Sequence, residues 1–151
     1  MKNSTLPSFY GILEIQHYIK GRIRIKVESL KNDNENIIAV IGDGSLSGGE
    51  ALEGLDFAGE LNSNFIIVVN DNDMSIAENH GGLYKNLKKL RESNGTHECN
   101  LFKAMGLDYI YENDGNNIEK LIETFSKVKD IDHPIVVHIN TQKGKGYKFA
   151  E

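Results

Sequence analysis

The sequence predicts an α/β domain built on a mainly parallel sheet with helices on both faces. Two runs rich in β-branched residues, Ile37 to Ile41 and Phe65 to Val69, are continuously apolar rather than alternating, as strands buried on both sides are. Between them Ala51, Leu52, Leu55, Ala58 and Leu61 recur at helical spacing, so about Ser47 to Leu61 reads as the crossover helix of a βαβ unit. The alternation then continues. Leu107 to Tyr111 is a weaker strand, and Ile118, Leu121, Ile122, Phe125 and Val128 form an apolar stripe on a helix. Asn116, with Glu119 three residues on, supplies the expected capping box for that helix. Pro134 opens a last strand, Ile135 to Ile139, followed by the basic, glycine-rich stretch Gln142 to Tyr147.

Two regions fit this scheme less directly. From Gly82 to Gly95, Leu83, Leu87 and Leu90 lie on one side of a basic segment, Lys85 to Arg91, which reads as a solvated helix with an apolar underside. Near the amino terminus Ile23, Ile25 and Val27 alternate with Arg22, Arg24 and Lys26, the pattern of an edge strand with a cationic outer face. Residues 1–35 are left unassigned, and residues 36–151 form the expected binding domain.

Composition narrows the function. In 151 residues, 39% apolar content suffices for one domain, and 17 basic against 22 acidic residues give a net charge of -5 that disfavours nucleic acid as a partner. The single cysteine, Cys99, can form no internal disulfide and reads as a bystander near a helix start, suited to a reducing cytoplasm. Met1 to Tyr10 has no apolar core and no later run approaches membrane-spanning length, so neither secretion nor membrane insertion is expected.

Ligands of open α/β sheets bind beyond the carboxyl ends of the strands. Two polar clusters fall there: Gly42-Asp43-Gly44-Ser45 after Ile41, and Asn70-Asp71-Asn72-Asp73-Met74 after Val69. If the strands are neighbours, Asp43 and Asn72 converge as two hard oxygen donors suited to Mg²⁺. Two donors are a partial shell, and magnesium completes its octahedron with waters and phosphates, so the pair predicts a phosphorylated ligand held through the metal. The amides of Gly44 and Ser45 lead toward the crossover helix, whose start favours a phosphate, and Gly48 and Gly49 remove side chains where a ligand would approach. Gly42-Asp43-Gly44 taken alone reads as a tight turn, and it is the second cluster that points to a site. His80 and His97 read as exposed loop histidines, and His138, inside an apolar strand, as a satisfied core histidine.

A Gly-Asp-Gly after one strand and an Asn-Asp-Asn after the next, roughly thirty residues on, resembles the thiamine-diphosphate enzymes. Within them the stretches Gly42 to Gly49, Glu53 to Leu61, Asn70 to Asn79 and Thr141 to Glu151 resemble 1-deoxy-D-xylulose-5-phosphate synthase more than transketolase, which usually lacks the Asn-Asp-Asn-x-Met-Ser-Ile run. The resemblance covers roughly Asn36 to Glu151 and implies the thiamine-diphosphate-binding fold, here part of its diphosphate-binding domain. By position it implies that Asp43, Asn72 and the Met74 backbone carbonyl hold Mg²⁺, and that Gly44, Ser45, Asn72 and Tyr147 meet thiamine diphosphate. The implied reaction joins a two-carbon unit of pyruvate to glyceraldehyde 3-phosphate with loss of CO2. The family's activating glutamate has no counterpart here, and Phe9 to Leu30 does not align with its usual cofactor loop. The expectation is an anchor with no catalytic residue of its own, partnered by a separate pyrimidine-binding domain or by self-association. The rival expectation is a truncated, non-catalytic homologue serving as an interaction module, or one half of a split transketolase.

Overall fold

The computed structural model describes residues 12–14, 36–62, 64–74 and 80–149. The suggested edge strand at Arg22 to Val27 and the unaligned stretch Phe9 to Leu30, apart from residues 12–14, lie outside the described residues, as does Ser75 to Asn79 of the second cluster. Five strands form one parallel sheet: β1 (Ile12–Glu14), β2 (Ile37–Gly42), β3 (Phe65–Asp71), β4 (Asp108–Glu112) and β5 (Ile135–Asn140), in the order β1-β2-β3-β5-β4. β1 comes from the stretch left unassigned in the sequence and pairs with β2, Ile12 opposite Ile38.

The strand order decides which face each helix covers. Right-handed crossovers from β2 to β3, and from β3 past β5 to β4, put their helices on one face, whereas the return from β4 to β5 runs in the opposite direction and uses the other. The packing agrees. Ile67, Val69 and Val136 meet Ala51, Leu55 and Ala58 of α2 (Gly49–Ala58), Leu87 and Leu90 of α3 (Gly82–Glu92) and Phe102 of α4 (Leu101–Ala104). Ile66, Val68, Val137 and Ile139 face the opposite way, onto Val128, Leu121 and Phe125 of α5 (Ile118–Val128). The expected helices on both faces are therefore present. α2 ends at Gly59, where a methyl group would collide with the Met105 carbonyl, so the chain after α4 can press directly on that turn.

Element boundaries moved where local chemistry competed with periodicity. The crossover is two helices rather than one, a single turn α1 (Asp43–Leu46) and then α2, because the chain turns helical as soon as β2 ends. The β4 strand starts one residue later than its apolar run suggests, Leu107 being drawn into the core beside Phe102. The cap of α5 is Asn117, not Asn116: its Oδ1 accepts from Glu119 N at 3.0 Å and Lys120 N at 3.3 Å. Asn116 is used elsewhere, exchanging hydrogen bonds with the Gln142 backbone, N–H to Oδ1 at 2.6 Å and Nδ2 to O at 3.3 Å. An Asn117→Ala change should therefore cost about 1 kcal/mol through the lost cap. Urea titration would show it as a lower midpoint at unchanged slope.

Candidate functional site

The site lies at the carboxyl edge of the sheet. β2 delivers Gly42 directly opposite Asn70 of β3, so the two polar clusters leave adjacent strands at the same level. Neighbouring strands are about 4.8 Å apart, so the two clusters begin side by side. Asp43 and Asn72 are thus placed as the sequence suggested, at the ends of neighbouring strands.

Local structure differs from a plain loop. Asp43, Gly44 and Ser45 belong to α1, and Asp43 is 3% exposed. Of the two following glycines, Gly48 has a reason internal to the chain: its N–H donates to Ser45 O at 3.1 Å, and a Cβ there would press on that same oxygen at 3.2 Å. Gly49 has none, since a Cβ would meet nothing within 4 Å. Open space in front of the first residue of α2 fits the approach of a ligand. Gly48 caps α2 without a side chain, and Glu50 adds a carboxylate to the first turn.

The second cluster is a tight loop tied by its own side chains. β3 runs through Asp71, two residues further than its apolar run. Asp71 Oδ1 accepts from Asp73 N at 3.1 Å and Asn72 Oδ1 from Met74 N at 3.0 Å, and Asp73 takes a left-handed conformation at φ 55°. An amide oxygen has two lone pairs, so the Asn72 oxygen that bonds Met74 N keeps one for a cation. Met74 is exposed. Tyr147 follows β5 beyond the same edge on a turn closed by its N–H to Gly144 O at 2.9 Å, and its exposed ring packs edge-on against Phe149 at 5.7 Å. No described contact joins it to either cluster.

The donor chemistry suits magnesium. Among the described residues no three His, Cys, Asp or Glu side chains gather into a metal cage. A cation at this edge would need one carboxylate, one amide, a backbone carbonyl and oxygens from water or phosphate, which is how Mg²⁺ is usually held.

Sequence reasoning missed the group that supports this loop. Asp71, fully buried, accepts from Arg91 Nη1 at 2.6 Å and from His138 Nε2 at 2.9 Å. The same guanidinium reaches Asp73 Oδ1 through Nη2 at 2.7 Å, so its fork grips both carboxylates flanking Asn72. His138 Nδ1 lies 2.7 Å from the Tyr109 hydroxyl. Because a carboxylate only accepts, Nε2 carries a proton, and in the neutral ring the tyrosine donates to Nδ1. Burial acts to raise the Asp71 carboxyl, but hydrogen bonds from His138 and Arg91 and the charge of Arg91 outweigh it and hold the group below its ordinary 3.8. Burial, with Tyr111 and Asp71 nearby, pushes the Tyr109 hydroxyl up and keeps it protonated.

Thus His138 is the satisfied core histidine expected, whereas Arg91 is not the solvated charge its basic neighbours suggest: its side chain is 14% exposed. An aspartate ending an apolar strand and a histidine inside the next one were the available signals. His80 is exposed as expected, but His97 is half-buried, and its Nε2 is enclosed with no partner among the described residues. Cys99 is exposed, its carbonyl accepting from Asn86 Nδ2 at 2.7 Å.

A parallel sheet with helices on both faces is the architecture of the thiamine-diphosphate-binding α/β class. Solved transketolases share it: the Leishmania mexicana enzyme superposes with a TM-score of 0.52 over 71% of this chain and 15% of its own, at 20% identity. The Campylobacter jejuni enzyme gives 0.52 over 74% and 16%, at 24% identity. A family model described as 1-deoxy-D-xylulose-5-phosphate synthase matches residues 24–100 and 93–141. The chain belongs to the 1-deoxy-D-xylulose-5-phosphate synthase family. It is 37% identical to the synthase of Clostridium acetobutylicum over 83% of this chain and 39% identical to that of Buchnera aphidicola over 95%, in each case spanning 26% of the relative. The chain therefore covers about a quarter of the length of these relatives. No helix among the described residues is long and apolar enough to cross a membrane.

Proposed function

We propose that this chain is the magnesium-diphosphate anchor of a cytoplasmic, thiamine-diphosphate-dependent transferase of the 1-deoxy-D-xylulose-5-phosphate synthase type. The observation that carries the reading is the register Gly42 opposite Asn70, which delivers Asp43 and Asn72 to one edge from adjacent parallel strands. Thiamine diphosphate, when bound, supplies the chemistry of moving a two-carbon unit from pyruvate to glyceraldehyde 3-phosphate with release of CO2.

The chain's own part is electrostatic and positional. Asp43, Asn72 and the Met74 carbonyl would hold Mg²⁺, neutralising a diphosphate that the backbone of Gly44 and Ser45 and the side chain of Asn72 meet directly. Tyr147 would close over the cofactor from the segment after β5. None of these groups moves a proton in the reaction, so proton transfer falls to a pyrimidine-binding domain or a second copy facing this edge. Exposure of Met74, Tyr147 and Phe149, at 55%, 62% and 81%, supports a surface that meets such a partner.

Two outcomes are expected from the pure chain. With pyruvate, Mg²⁺ and thiamine diphosphate it should release no CO2 above a no-protein control. Mixed with a separately expressed pyrimidine-binding domain, its mass by light scattering should rise, and rise further with cofactor and Mg²⁺, because a ligand touching both surfaces must strengthen their association. Turnover by the pure chain would overturn the division of labour. A monomer indifferent to cofactor and partner would favour the rival reading of a non-catalytic homologue, to which the exposed Ile118 and Ile122, one turn apart on α5, lend an apolar surface.

A further inference from the structure

α3 touches both halves of the site through two side chains seven residues apart. At its first turn the Tyr84 hydroxyl donates to Ser47 Oγ at 2.8 Å and lies 3.4 Å from the Gly44 carbonyl, on the segment that carries Asp43. At its last turn the Arg91 fork holds Asp71 Oδ2 and Asp73 Oδ1, on either side of Asn72. Seven residues are two helical turns, so both side chains project from one face, about 10 Å apart along the axis. Between them Leu87 and Leu90 are buried at 1% and 0% exposure, which fixes the helix against the sheet.

We infer that α3 is a clasp: Tyr84 and Arg91 are positioning residues that set the spacing between the Asp43 and Asn72 oxygens before any cation arrives. The inference rests on the proposed cofactor-anchoring role and deepens it. A loop held by its own Asx-type bonds keeps its shape but not its distance from the neighbouring turn. The sheet sets that distance only as far as Gly42 and Asn70, and α3 is the described element that grips both loops beyond it. Arginine is needed at position 91 because a planar guanidinium can serve two carboxylates at once, and a lysine ammonium concentrates its charge at one point.

A rigid spacing discriminates between ions. Mg²⁺ requires near-ideal octahedral distances of about 2.0–2.1 Å, whereas Ca²⁺ accepts about 2.3–2.6 Å in flexible geometry. Loosening the clasp should therefore weaken binding with magnesium more than binding with calcium. A merely structural role would lower both together.

The test is calorimetric titration of thiamine diphosphate into the wild-type chain, Arg91→Lys and Tyr84→Phe, each with Mg²⁺ and with Ca²⁺. Tyr84→Phe removes only a hydroxyl and covers the case in which Arg91→Lys fails to fold, and circular dichroism sets the folded concentration of each. Expected for Arg91→Lys is a loss of roughly 10-fold or more in the magnesium-dependent affinity, the scale on which supporting partners of metal ligands act, with a clearly smaller loss for calcium. Tyr84→Phe should shift the ratio the same way by less. Wild-type binding with an unchanged magnesium-to-calcium ratio in both variants overturns the clasp and leaves the anchor reading intact. A wild-type chain that binds no cofactor with either ion overturns both.

Discussion

Replacing Asp71 with alanine is expected to destabilise the fold by about 3–5 kcal/mol, because it strands Arg91 and His138 in the core without their shared acceptor. The carboxylate is fully buried and receives three bonds, from Arg91, His138 and the Asp73 backbone, so solvent cannot replace it without opening the layer between β3 and α3. The pH dependence has a definite sign. The folded carboxyl sits below its ordinary 3.8, so its contribution is present in full above that value and is lost as pH falls through the lower, folded value. An Asp71→Asn variant should accordingly be less stable than wild type at neutral pH, with the gap closing below about pH 4, near the unperturbed aspartate value. Urea unfolding at pH 7 and pH 3 would show this, and a gap of equal size at both would remove the ionised Asp71 from the account.

The second large effect concerns the ion. Asp43→Asn and Asn72→Ala should each abolish magnesium-dependent binding of thiamine diphosphate in practice. Removing one partner of a buried charged contact costs about 2–5 kcal/mol, roughly 30-fold or more in affinity. Each variant should retain the far-ultraviolet spectrum of the parent. Both act through one metal shell, so the double variant should bind no worse than the worse single one, a strongly non-additive result. Additive losses would mean that the two residues serve separate sites.

The fold was legible where strands are packed on both faces and read as continuous apolar runs. Ile37 to Ile41, Phe65 to Val69 and Ile135 to Ile139 all lie within observed strands. Hydrophobic period is blind to polar residues, so it stops short of Asn70 and Asp71, which continue β3, and gives no sign of the single helical turn Asp43 to Leu46 ahead of α2. Asn116 and Asn117 are indistinguishable as caps by composition, and only the pull of Gln142 on Asn116 decides between them.

The candidate ligands could be located because a turn after one strand and another after the next must share an edge if the strands are neighbours. Their support could not. Arg91 sits among Lys85, Lys88 and Lys89 in a sequence that looks like a solvated face, and its partner at Asp71 is twenty residues away. Nothing local separates it from the surface lysines, since its difference lies in where α3 docks.

The most direct measurement is a calorimetric titration of thiamine diphosphate into the wild-type chain, with Mg²⁺ and then with excess chelator. If this edge anchors a diphosphate through a metal, heat of saturable one-to-one binding appears with Mg²⁺ and disappears with the chelator. Binding of equal strength in both, or none in either, would contradict it.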